Sequence, residues 1–286
     1  MLYDDTDKDY AESIKHICIE SRDFVRAVLG LDMPKDIRIQ IMTSWPSFYV
    51  HSSSKRLKLA FLLFPLLFLL GLFSLFFADN SQWGGYLILL MVALLYVVMF
   101  VIRINSVWKN SSGWCAIFDE HCAIGIKPPR IYQLTSTEVG KRVYIDNLSP
   151  DEKSRLMISH EMTHAFAIHI KHPAWLREGL AMVVADVFLE KQTIRADTLG
   201  FLRQSLTSNI SRKPSVDNSV LLYARGYWRT RYLIETNREL FDLLFNPQYK
   251  AADFEKLIAD SYGEETGSFW TKNTLDQMLL RHYELS

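Results

Sequence analysis

The sequence predicts an α+β fold, a small sheet followed by a mostly helical carboxy-terminal part, with a two-helix transmembrane hairpin set into the chain. Three observations predict it. Strand-like alternation is confined to the first half, helical apolar spacing dominates residues 150–286, and residues 59–102 carry one formal charge, Asp79. A hydrophobic fraction of 49% with 22% charged residues supplies enough apolar surface to offset chain ordering, which excludes a disordered protein. Lys plus Arg and Asp plus Glu balance at 32 each, so no basic excess favours a phosphate backbone, and no nucleic acid is expected as a partner. Three cysteines, Cys18, Cys115 and Cys122, are too few and odd in number for the disulfide framework of a small secreted domain.

Residues 10–29 read as an amphipathic helix, with Ile14, Ile17, Cys18, Phe24, Val25 and Val28 near one face and Gly30 as its stop. Ile37, Ile39 and Ile41 alternate with Arg38 and Gln40, the period of a half-buried strand. Residues 57–103 then form the hairpin. Its first span, residues 59–78, has 20 uncharged residues, about 30 Å of helix at 1.5 Å per residue. The second, residues 83–102, starts at Trp83 after a polar stretch containing Gly84 and Gly85. Lys55, Arg56 and Lys58 precede the pair and Arg103 and Lys109 follow it, while the connection has no Lys or Arg. By the positive-inside rule both termini and the catalytic domain are expected to be cytoplasmic, in an integral membrane protein of two passes.

Residues 114–118 and 122–126 read as strands joined by a turn, and residues 142–145 as a further candidate. Residues 1–56 hold too little apolar material for a core of their own. They are expected to belong to the same domain as residues 104–286, with the strand near Ile39 pairing with strands beyond residue 113. Residues 150–190 carry the active-site helices, and a polar break containing Pro214 spans residues 208–218.

Chemistry enters at His160-Glu161-Met162-Thr163-His164. Ser149, Pro150 and Glu152 announce the helix as a capping-box start. Histidines four apart project from one face of a helix and can meet on one metal ion. Glu161 beside them is placed to take the proton of a metal-activated water. A catalytic zinc usually takes three protein ligands, and Glu178, in Trp175-Leu176-Arg177-Glu178-Gly179-Leu180-Ala181, fits the third place.

These motifs, with Leu222-Tyr223-Ala224-Arg225-Gly226 beyond them, resemble the gluzincins, the zinc peptidases that include thermolysin-like enzymes and membrane-alanyl-type aminopeptidases. The closer resemblance is to the compact peptidase-MA-like domains, and it covers residues 150–270. It implies a zincin-like metallopeptidase domain, one Zn²⁺ per chain, and a peptide or protein substrate; the hairpin read above adds the lipid bilayer as a partner and would make that substrate membrane-proximal. The resemblance also implies a catalytic Tyr223 that stabilises the oxyanion; structural packing of Tyr223 is the alternative. Thirteen residues separate His164 from Glu178, fewer than in thermolysin, so the connection must be short. No Gly-x-Met-Glu-Asn segment precedes the motif, so aminopeptidase activity is not expected. Ile170 stands where a metzincin needs its third histidine, and His169 misses by one.

Asp186 is a candidate to orient a ligand histidine from behind. His169 and His172 suit a helix end, Cys115, His121 and Cys122 suit a strand hairpin, and Tyr227, Trp228 and Tyr232 suit helix packing. The expected activity is therefore hydrolysis of peptide bonds by a membrane-anchored zinc metallopeptidase. The alternatives are a non-proteolytic membrane scaffold that retains the zinc site and a zinc hydrolase of a small amide or ester.

Overall fold

The structure is a computed structural model that describes residues 1, 3, 5–32, 36–44, 91–99, 101–102, 108–109, 112–118, 121–131, 137–207, 218–246, 248–266, 270–271 and 273–285. Its first long element is α1 (Lys8–Leu29), which buries Ile14, Ile17, Cys18 and Val25 and stops where Gly30 turns left-handed at φ 62°. That conformation costs a glycine nothing, and the Gly30 N–H donates back to the Arg26 carbonyl at 3.0 Å. Strands β1 (Ile37–Ile41), β2 (Gly113–Phe118) and β3 (His121–Ile126) form one sheet in the order β1-β3-β2. β2 and β3 are an antiparallel pair. β1 lies parallel to β3, with Ile39 opposite Ile124, which is the pairing expected for the strand near Ile39. A parallel pair needs a long crossover, and residues 42–120 intervene between the two strands.

The helical part comprises α2 (Glu138–Val143), α3 (Pro150–Ala167), α4 (Ala174–Leu189), α5 (Leu199–Thr207), α6 (Asn218–Thr236), α7 (Arg238–Leu243), α8 (Ala251–Thr266) and α9 (Thr274–Leu285). α3 is the central element. Its buried residues go round the helix, Leu156, Met157, Ile158, Met162 and Ala165 among them, as a helix enclosed by neighbours requires. α1, α4, β2 and β3 all pack against it. Its start is the expected capping box: Ser149 Oγ accepts from the Glu152 N–H at 3.2 Å, and the Ser149 N–H donates to Glu152 Oε2 at 2.6 Å. α4 in turn lies between α3 and α6. The strand expected at residues 142–145 is instead the end of α2 followed by a single bridge, Tyr144 to Ile194. The break expected at residues 208–218 lies outside the described residues except for Asn218, which begins α6.

The transmembrane hairpin is corrected. Residues 59–90 lie outside the described residues, and of the second span residues 91–99 and 101–102 are described as helical. Among the described residues no helix is long and apolar enough to cross a membrane. Residues 91–99 extend about 14 Å at 1.5 Å per residue, half a hydrocarbon core. Met91 and Leu95 there are exposed and contribute nothing to the core. Among the described residues the fold is mostly helical with one three-stranded sheet, and the transmembrane hairpin expected at 57–103 finds no support there. The two-pass, cytoplasmic-facing placement and the bilayer partner inferred from that hairpin are withdrawn with it.

Candidate metal centre

Helix α3 brings His160 and His164 to one face one turn apart, and their Nε2 atoms converge to 3.1 Å with the rings edge-on. The next helix, α4, supplies Glu178, whose Oε2 lies 3.5 Å from each of those nitrogens. All three ligand atoms fall within 4.8 Å of one another, so His160, His164 and Glu178 form a cluster that could hold a metal ion. Tetrahedral bonds of about 2.0–2.1 Å place ligand atoms about 3.3 Å apart, the spacing seen. The donor chemistry fits as well. Two imidazole nitrogens and a carboxylate oxygen are the donor types of a His₂Glu zinc site. His164 Nδ1 is buried without a hydrogen-bond partner among the described residues, so no acceptor there orients the ring.

Burial is the largest single influence on each group, and the neighbours decide whether it prevails. It pushes the Glu178 carboxyl up, but hydrogen bonds from His160 and His164 outweigh it and hold the group well below the ordinary carboxylate range. Burial lowers His164, yet the Glu178 carboxylate more than compensates and raises it. Glu161 shows the opposite balance to Glu178. Desolvation raises its carboxyl, the charges of His164 and His160 only partly offset this, and Glu178 adds to the rise. A carboxyl tuned upward suits a general base working near neutrality.

The cluster opens into a cavity of about 660 Å³, within the range of small-ligand sites. Glu161 and Tyr223 line it beside the cluster. One wall is β2, through Gly113, Trp114 and Cys115, and another is the start of α2 with Tyr144. Gly113 has a role that sequence reasoning missed. A Cβ there would lie 3.0 Å from both Cγ and Oε1 of Glu161, so the strand backbone packs directly on the carboxylate. Glycine at the start of a strand was the available signal, since it marks a close approach. Sequence reasoning also missed Lys171 and Arg177 in the wall. Arg177 stood next to Glu178 in the quoted motif.

Tyr227 does not share the cavity. Its hydroxyl donates to Asp186 Oδ2 at 2.7 Å, and it is 2% exposed. Asp186 likewise stands away from the ligand histidines. Its Oδ1 accepts from the Thr193 N–H at 2.9 Å and from the Thr193 hydroxyl at 2.5 Å. Eight residues past Glu178, it lies about 12 Å farther along the α4 axis, too far to reach an imidazole on the cluster. Its observed work is to tie α6 and the chain after α4 to α4. Tyr223, one turn before Tyr227, is the tyrosine that lines the cavity.

α4 and α6 meet backbone to backbone, which sets how close Tyr223 comes to the cluster. A Cβ on Gly179 would lie 2.0 Å from the Gly226 carbonyl oxygen, and one on Gly226 would lie 2.5 Å from the Trp175 carbonyl oxygen. Both glycines sit inside motifs read from the sequence.

Cys115 and Cys122 are free thiols with Sγ atoms 3.2 Å apart across β2 and β3. No other cluster of metal-ligating residues occurs among the described residues. His172 also lines the cavity, and its Nε2 donates to the Leu244 carbonyl at 2.8 Å. Burial lowers its pKa, opposed by that hydrogen bond, and its Nδ1 has no partner among the described residues. The unfolded imidazole therefore takes a proton more readily than the folded one. Stability from this group is present above the ordinary histidine value, about 6.5, and is lost as pH falls through the lower folded value. The unfolding midpoint should drop on acidification below pH 6.5, and His172→Gln, which keeps a donor for Leu244, should flatten that drop. An identical acid limb in the variant would assign it to other groups.

Comparison of the chain with protein-family models, with curated proteins and with solved structures finds no match.

Proposed function

We propose that this protein is a zinc-dependent metallopeptidase of gluzincin type. One observation carries the reading: two helix-borne imidazoles and a carboxylate converge within 4.8 Å at the wall of a 660 Å³ cavity that also contains the buried Glu161. A purely structural zinc site has closed coordination and no use for a base at its edge. In this reading His160, His164 and Glu178 hold one Zn²⁺, a donor set of the hydrolytic His₂Glu kind. When bound, zinc supplies Lewis acidity and lowers the pKa of water toward neutrality.

The residues of the chain do the rest. Glu161 takes the proton of the attacking water and passes it to the leaving amine. Tyr223 donates its hydroxyl to the oxyanion. β2 is an edge strand among the described residues and lines the cavity through Gly113, Trp114 and Cys115, and a sheet edge is where an extended peptide can add as a strand. That edge supports a peptide substrate over a small amide or ester.

The test is incubation of the purified full chain with a peptide library, with and without chelator. Zinc-dependent cleavage that chelator abolishes is expected; a chain that holds zinc and cleaves only small esters or amides, or nothing, contradicts the proposal. Tyr223→Phe should lower turnover by about 10²-fold with zinc content unchanged. Normal turnover in that variant would remove Tyr223 from the chemistry.

A further inference from the structure

The cavity holds two cations that this chemistry does not use. Lys171 and Arg177, from the connection between α3 and α4 and the first turn of α4, both line it and are both exposed. Lys171 has neither an ion pair nor a hydrogen bond among the described residues. Arg177 directs Nε at Glu178 Oε1 at 3.4 Å, and its two terminal nitrogens have no partner among the described residues. Since Glu178 turns its other oxygen to the imidazoles, the guanidinium sits one carboxylate away from the ligand set.

Around the cavity Lys171 faces no carboxylate partner among the described residues, and Arg177 pairs through Nε alone, with Glu178. The carboxylates among its described lining residues are Glu161 and Glu178, and both are committed to the centre. Arg177 also breaks a local rule, since a cation in the first turn opposes the positive end of the helix dipole. Helix stability is no reason for its presence. An arginine fork with free terminal nitrogens matches a carboxylate in two parallel hydrogen bonds, and a lysine beside it adds a point charge.

We propose that Lys171 and Arg177 form an anion-reading wall that selects peptides with a carboxylate next to the scissile bond. The inference rests on the peptidase reading above. The carboxylate can belong to an acidic side chain or to the free carboxy terminus, and a cationic side chain at that place is repelled. The short connection between His164 and Glu178 is what brings both cations to the cavity.

The test measures binding to the zinc-loaded full-length Glu161→Gln protein, by fluorescence anisotropy of four matched labelled peptides. They carry Asp or Asn beside the scissile bond, each with a free or an amidated terminus. Removing the recognised carboxylate should weaken binding about tenfold or more, and added salt should narrow the gap. Loss on amidation assigns the terminal carboxylate; loss on Asp-to-Asn exchange assigns the side chain. Arg177→Gln should shrink the preference, with zinc content measured alongside because Arg177 touches Glu178. Lys171→Glu should shrink or reverse it, so that the peptides lacking the recognised carboxylate bind as well as or better than those that carry it. Equal binding of all four, with zinc-dependent cleavage by the native chain, overturns the anion-reading wall and leaves the peptidase reading standing. If no peptide binds and none is cleaved, the peptidase reading fails and takes this inference with it.

Discussion

Exchanging Glu161 for Gln is expected to cut hydrolysis by about 10²–10⁴-fold while bound zinc stays at the level of the native chain. The exchange keeps the size of the side chain, so its packing against Gly113 survives, and it removes the one carboxylate besides Glu178 among the described residues that line the cavity. Glu161 lies outside the three-residue ligand set, so metal affinity has no reason to follow activity. Turnover and metal content measured on the same preparation decide the matter. Zinc lost together with activity would make Glu161 a ligand or a support of the ligands, and unchanged turnover would remove it as the base.

Gly179→Ala is expected to destabilise the fold by about 3 kcal/mol, although alanine in a helix interior ordinarily gains about 1 kcal/mol over glycine. The clash decides the sign. A methyl group at this position would meet the Gly226 carbonyl oxygen at 2.0 Å and Thr230 Oγ1 at 2.3 Å, and a helix backbone cannot swing aside as a side chain can. α4 and α6 would have to separate, which also moves Tyr223 away from Glu178. Denaturant unfolding reads the effect directly. A change below about 1 kcal/mol would mean that the helices do not approach so closely.

Local order carried most of what was legible beforehand. The helix start at Ser149, the four-residue spacing of His160 and His164, and Glu178 on the following helix are all short-range features, governed by the helical period and by capping chemistry. The pairing of the strand near Ile39 was also legible, because residues 1–56 hold too little core to stand alone. Features made by distant segments were not. Gly113 reaches Glu161 from a strand nearly fifty positions earlier, and no period links the two. Asp186 was misplaced because helical spacing brings it near the motif in sequence while its axial distance hands it to Thr193 and Tyr227. The hairpin was read from composition alone, and among the described residues no helix is long and apolar enough to cross a membrane.

The most direct measurement is elemental analysis of the purified full-length chain beside His160→Ala, His164→Ala and Glu178→Ala. The arrangement of the three side chains predicts about one zinc per native chain and strong loss in each variant, since every substitution leaves two donors where a catalytic zinc usually takes three. Full zinc occupancy in Glu178→Ala would remove Glu178 from the ligand set. A native chain that binds no zinc when the metal is supplied would contradict the centre altogether.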